Sequence, residues 1–131
     1  MVARRQDGSE AARYQKLTSV ANSVTGAWGT PSQFASNSLY FFPNGAYLLI
    51  DVTGGNPACS APGIEYGSYS WNPATQDLTL NAFTDSDGCS GFTGGSDGTV
   101  ALKAVVSAGG ATLTITAPGS PTGASFTRLT P

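Results

Sequence analysis

Histidine is absent from this chain of 131 residues, which also holds only two cysteines and a single methionine. The first absence removes the commonest general base and metal ligand near neutral pH. Two lone cysteines, Cys59 and Cys89, lack the partners and the spacing of a zinc site. No apolar run is long enough to cross a membrane as a helix, and no series of about ten-residue strands with aromatic girdles marks an outer-membrane barrel. The apolar core of a signal peptide is also missing from the start. Charge is scarce, at 11% of residues against roughly a quarter in an ordinary soluble domain, so solubility rests on Ser, Thr, Asn and Gly. Arg4, Arg5, Arg13 and Lys16 crowd the start. Beyond them Lys103 and Arg128 are outnumbered by Asp51, Glu65, Asp77, Asp85, Asp87 and Asp97, a balance of −4. An acidic body without a stripe of aromatic and basic residues excludes nucleic acid as a partner. The basic start reads as a solvated tail.

Glycine and proline, by contrast, are plentiful, with 17 and 8 residues, and both disfavour long helices. With 40% hydrophobic residues set in patterned runs, the chain is expected to fold as one domain with a modest core. This balance is that of an extracytoplasmic protein (periplasmic, cell-surface or secreted), and the expectation is a chain trimmed from a longer precursor. One stretch favours a helix. Ser9 is placed to cap it, and Tyr14, Leu17, Val20, Ala21 and Val24 recur at helical spacing, so residues 1–24 are expected to be a tail with a short amphipathic helix.

From residue 25 to 131 the period changes to two. Eight strands are expected, at about 25–30, 38–42, 45–52, 64–71, 77–83, 98–106, 111–116 and 123–129. Leu78, Leu80 and Ala82 alternate with Thr79 and Asn81, and Leu113 and Ile115 with Thr112, Thr114 and Thr116. One-sided burial at period two marks an antiparallel sheet. The connections alternate as well. Pro43-Asn44-Gly45, with Asn and Gly supplying positive φ, the segment 72–76 and the segment 107–110 are tight turns, whereas 31–37, 53–63, 84–97 and 117–122 are long. In an up-and-down meander all tight turns then fall at one end and all long loops at the other. The fold expected is an all-β, eight-stranded antiparallel barrel with a closed base and a decorated mouth; a β-sandwich is the alternative. Cys59 and Cys89 both fall in mouth loops rich in Gly, Ser and Pro, where a disulfide between them is expected, two free thiols being the alternative.

Gly26-Ala27-Trp28 and Arg128 resemble the Gly-x-Trp motif and the last-strand arginine of the lipocalin, or calycin, superfamily. The resemblance spans roughly 25–129 and is to a minimal bacterial calycin-like domain: the chain is short, and it lacks both a C-terminal helix and the family's Thr-Asp-Tyr motif. It implies that the Trp28 indole and the Arg128 guanidinium stack at the closed end as a structural clasp. Chemistry is sparse elsewhere. Asp85-Ser86-Asp87-Gly88 opens like a calcium loop but lacks the later glutamate, and reads better as a solvated acidic turn. The candidate ligand-binding residues are Phe34 and Phe92 in mouth loops, and Tyr47, Tyr66 and Phe83 on the strands. The leading expectation is a non-enzymatic binding module, without cofactor or metal, for a small apolar ligand or a protein partner at the mouth. A structural or adhesive surface domain is one alternative. A small-barrel cyclase or isomerase using Glu65 and Tyr66 is the other. A monomer or weak oligomer is expected.

Overall fold

The computed structural model describes residues 2–4, 6–13, 17–30, 37–51, 63–86, 91–93 and 98–130. A hairpin of β1 (Val2–Arg4) and β2 (Glu10–Arg13) comes first. Eight strands follow: β3 (Gly26–Gly29), β4 (Asn37–Phe41), β5 (Ala46–Asp51), β6 (Gly63–Trp71), β7 (Asp77–Asp85), β8 (Gly98–Val106), β9 (Thr112–Thr116) and β10 (Ala124–Arg128). Each pairs antiparallel with its neighbour, and β10 returns to β3 through the pairs Thr127↔Gly29 and Arg128↔Trp28. The sheet is therefore a closed up-and-down barrel rather than a sandwich. Closure leaves no strand edge in need of cover.

Alternation decides what goes inside. Trp28, Leu39, Phe41, Tyr47, Leu78, Leu80, Ala104, Leu113 and Phe126 point inward and form one buried cluster, while the Thr and Ser residues between them face outward. Among the described residues of the barrel strands, the pairing register slips in one place. Between Tyr66 and Gly67 the β6–β7 register slips, so that Tyr66 opposes Thr84 while Gly67 opposes Ala82, and Phe83 is left over as a β-bulge. Beyond the bulge the parity of β7 inverts: Phe83 and Thr84 are both exposed, and Asp85 comes to lie opposite Glu65 on the inner side.

The tight turns gather at the base. In the first, the Phe42 N–H donates to Ala46 and the Gly45 N–H to Phe42, with Gly45 at φ 84°. Asn44 contributes differently from the expectation. It is not at positive φ; its Oδ1 accepts from the Ala46 N–H instead. Aromatic side chains tie this end together: the Tyr69 hydroxyl donates to the Phe42 carbonyl of the first turn at 3.0 Å, and the Trp71 indole to the Ala104 carbonyl of β8 at 3.0 Å.

Arg128 lies over Trp28, with its guanidinium carbon 4.1 Å from the ring centroid. The guanidinium also donates to three carbonyls, those of Gly110, Thr25 at 3.1 Å and Ser23 at 2.9 Å. Trp28 itself donates to Val24, whose buried side chain joins the core from below. One residue from the last strand thus holds the segment leading into β3 and the β8–β9 turn together. Partial burial pushes the Arg128 pKa down from its ordinary value, though arginine stays charged in proteins. Arg128→Ala is expected to cost about 2–3 kcal/mol, because three carbonyls lose a charged donor, and to lower the melting temperature by roughly 10 °C. An unchanged thermal melt by circular dichroism would contradict this role.

The helix expected within residues 1–24 is not found among the described residues. Residues 10–13 form β2. Ser9 does not cap a helix; its backbone N–H and its hydroxyl both donate to the Asp7 carboxylate in the β1–β2 turn. Tyr14 lies outside the described residues. Of the rest of the apolar stripe only Val24 is buried, while Val20 and Ala21 are exposed. Helical spacing needs a surface to cover, since an isolated helix of this length is marginal in water. Among the described residues of this segment, one side chain is buried at the barrel base, not a face.

Candidate functional site

The base half of the barrel is filled, and the mouth half holds a cavity of about 420 Å³. Its floor is apolar, made by Leu49, Leu102, Ile115 and Phe126, each an inward position of its strand. Its rim is polar, with Thr30, Asn37, Asp51 and Thr122. Strand parity explains the change in character along β5, where Tyr47, Leu49 and Asp51 share the inner face and step from the core to the mouth. Asp51 is only 7% exposed yet lines the cavity.

Beside the cavity a carboxylate is sealed into the wall. Glu65 is 0% exposed, and both of its oxygens are engaged. Oε1 accepts from the Tyr47 hydroxyl at 2.7 Å, and Oε2 from the Phe92 N–H at 2.8 Å and the Thr93 N–H at 3.1 Å. The Thr93 hydroxyl bridges two acids, 3.1 Å from Glu65 and 2.5 Å from Asp85. A buried carboxylate needs this many donors to offset its lost hydration. All but the Tyr47 hydroxyl come from the β7–β8 connection, so Glu65 fixes residues 92 and 93 against the barrel wall. Phe92 is held there against the core cluster, as part of the cavity lining.

Of the five candidate ligand residues, Phe92 lines the cavity and Tyr47 stands below it as Glu65's partner in the core. Phe34 lies outside the described residues. Tyr66 and Phe83 are on the outer wall, 43% and 52% exposed, with their rings edge-to-face at 6.0 Å. Parity accounts for Tyr66, which alternates with the inward Glu65 and Gly67. The bulge accounts for Phe83. Cys59 and Cys89 also lie outside the described residues. Asp85 and Ser86, which open the calcium-like stretch, serve strand pairing and the wall: the Ser86 N–H donates to the Ile64 carbonyl at 2.8 Å, and its hydroxyl accepts from the Ile64 N–H at 3.1 Å. Asp51, Thr93 and the sealed state of Glu65 were not singled out from sequence. For Asp51 the signal was present in its shared parity with Tyr47 and Leu49.

No helix among the described residues is long and apolar enough to cross a membrane. Comparison with known proteins gives no match to a family model, a curated protein or a solved structure.

Proposed function

We propose that this protein is a calycin-like binding module whose barrel mouth takes a small, mostly apolar ligand with a polar end. The cavity carries the reading. At about 420 Å³ it falls in the size range of small-molecule sites, and it has their character, an apolar floor with a few polar groups at the opening. The stacking of Arg128 on Trp28, together with the up-and-down closure, supports the calycin part of the proposal. Scarce surface charge supports a role outside the cytoplasm. Proton-transfer chemistry is less favoured, because the side chain best suited to it, Glu65, has its oxygens turned to Tyr47, Phe92 and Thr93 and none of its surface open.

Titration with an uncharged fluorescent probe such as N-phenylnaphthylamine tests the proposal. Saturable binding with enhanced, blue-shifted emission is expected, together with a rise in melting temperature that grows with probe concentration. Leu102→Trp, which pushes an indole into the floor, is expected to weaken binding at least about tenfold, a loss of 1.4 kcal/mol, in a protein that still folds. Absence of binding, or binding indifferent to Leu102→Trp, would remove the cavity as the site.

A further inference from the structure

We infer that the outer wall of β4, β5 and β6, with Phe83 beside it, docks a second copy of this chain, face to face across a two-fold axis.

The outward positions of these strands are unlike those of the rest of the barrel. Tyr40 on β4, Leu48 and Ile50 on β5, and Ile64 and Tyr66 on β6 stand side by side through the pairs Tyr40↔Leu48, Leu48↔Tyr66 and Ile50↔Ile64. Phe42, just past β4, stacks on Tyr40 with ring centroids 6.3 Å apart. Phe83, left over at the bulge, lies on the same wall, edge-to-face with Tyr66 at 6.0 Å. Ile64, Tyr66 and Phe83 are 40%, 43% and 52% exposed. No outward position of β4, β5 or β6 carries a charge, since the acids of β5 and β6, Asp51 and Glu65, face inward.

The fold does not demand such a wall. On β9 and β10 the outward positions are Thr112, Thr114, Thr116, Ser125 and Thr127. Threonine is as much a strand former as Ile or Tyr, so a barrel closes as well with hydroxyls outside. Apolar side chains gathered on one side only are the mark of an interaction surface.

Charge and shape both fit a second copy. The chain has a formal net charge of −2, so two copies repel on average, and an uncharged face is where they meet without that cost. In a two-fold interface every contact of residue i with residue j is matched by one of j with i, so the surface must complement itself. Beside the row Tyr40, Leu48 and Tyr66 runs a second row toward the base, Phe42, Ala46 and Ser68. An axis lying across the strands between the two rows sets Tyr66 over Ser68 of the second copy, Leu48 over its Ala46 and Tyr40 against its Phe42. Two large side chains thus meet two small ones, and an aromatic meets an aromatic, each contact being made twice.

Area sets the strength. At roughly 150–250 Å² for a whole aromatic side chain, the exposed parts of this wall come to on the order of 500 Å². Two copies then cover about 1,000 Å² together, the lower limit of a specific interface and short of the roughly 1,600 Å² of a standard one. A reversible, weak dimer is the result.

Sedimentation velocity of the full chain over a range of concentrations tests the inference, with reductant present so that the cysteines cannot link copies. A monomer–dimer equilibrium with a Kd on the order of 10–100 µM is expected. The double variant Tyr66→Ser, Phe83→Thr is expected to weaken association at least about thirtyfold, because aromatic residues carry most of an interface's energy. Ser68→Glu is expected to weaken it as much, by setting an unpaired carboxylate beneath Tyr66 of the second copy. Val105→Thr, at an exposed position on the other side of the barrel, is expected to leave it unchanged. Thermal melts well below the dissociation constant check folding, and the two disrupting variants are independent, so loss of fold in one leaves the other to decide. A chain that stays monomeric at millimolar concentration would overturn the inference. So would a dimer indifferent to both disrupting variants, which would lie on another surface. A monomer that sediments with phosphatidylcholine vesicles through Tyr66 and Phe83 would assign the wall to lipid and overturn the second copy.

Discussion

Gly67→Ala is expected to prevent the barrel from forming, or to destabilise it by more than about 4 kcal/mol, the range reserved for severe steric or core disruption. Gly67 sits on the inner side of β6, next to the β7 bulge. A Cβ built there would stand 1.9 Å from the Asn81 carbonyl oxygen, 2.8 Å from the Asn81 carbonyl carbon and 2.9 Å from the Ala82 Cα. All three are backbone atoms, so no side-chain rotation relieves the overlap. The strands must part, and with them the Tyr47↔Gly67 and Gly67↔Ala82 pairings on either side. Soluble yield and urea unfolding followed by circular dichroism measure the effect. The neighbouring Ser68→Ala serves as a control, expected to stay within about 0.5 kcal/mol of the parent. A Gly67→Ala protein with parental stability would contradict the close approach of β6 and β7.

The second large effect is expected at Glu65. Glu65→Ala leaves the Tyr47 hydroxyl, the Phe92 and Thr93 N–H groups and one contact of the Thr93 hydroxyl without their acceptor, in a position closed to water. Unsatisfied buried donors cost about 1–3 kcal/mol each; with partial relaxation of the connection, a total loss of about 4 kcal/mol is expected. Glu65→Gln should be milder, about 1–2 kcal/mol. Its amide oxygen can still receive the two backbone N–H groups, and its NH₂ can donate to Tyr47, whose hydroxyl is able to accept. Hydrogen exchange separates a local from a global effect. In Glu65→Ala the Phe92 and Thr93 amides are expected to lose protection to a greater extent than those of β4 or β9. Equal stability of Glu65→Ala and Glu65→Gln would mean that the carboxylate does not anchor the connection. Loosening of Phe92 should also weaken probe binding, since that residue lines the cavity.

These two residues mark how far sequence reasoning reaches. Glu65 and Gly67 share the parity of Tyr69 and Trp71, so their inward direction is legible along β6. That Gly67 touches the Asn81 backbone is not, because contact depends on where β7 slips past β6. Phe83 illustrates the same limit. In an unbroken strand Leu78, Leu80 and Ala82 would be followed inward by Thr84, leaving Asp85 outside; one unpaired residue reverses this. The helix expected from Tyr14, Leu17, Val20, Ala21 and Val24 fails for a related reason. Helical spacing is a local pattern, and among the described residues of that stretch only Val24 is buried.

By itself the sequence determined the boundaries of the eight barrel strands to within one or two residues, the alternation of tight and long connections, and an antiparallel all-β meander whose two ends differ, with a sandwich left as the alternative to a barrel. Those are properties of neighbours two residues apart and of turn residues, and they survive without knowledge of the rest of the chain. The tertiary structure decided the remainder: the bulge at Phe83 that turns Asp85 inward, the burial of Glu65 beneath Phe92 and Thr93, and a barrel filled at one end and hollow at the other. Each of these follows from the register between strands and from the volume that eight inner faces leave between them, quantities set only when β10 closes on β3.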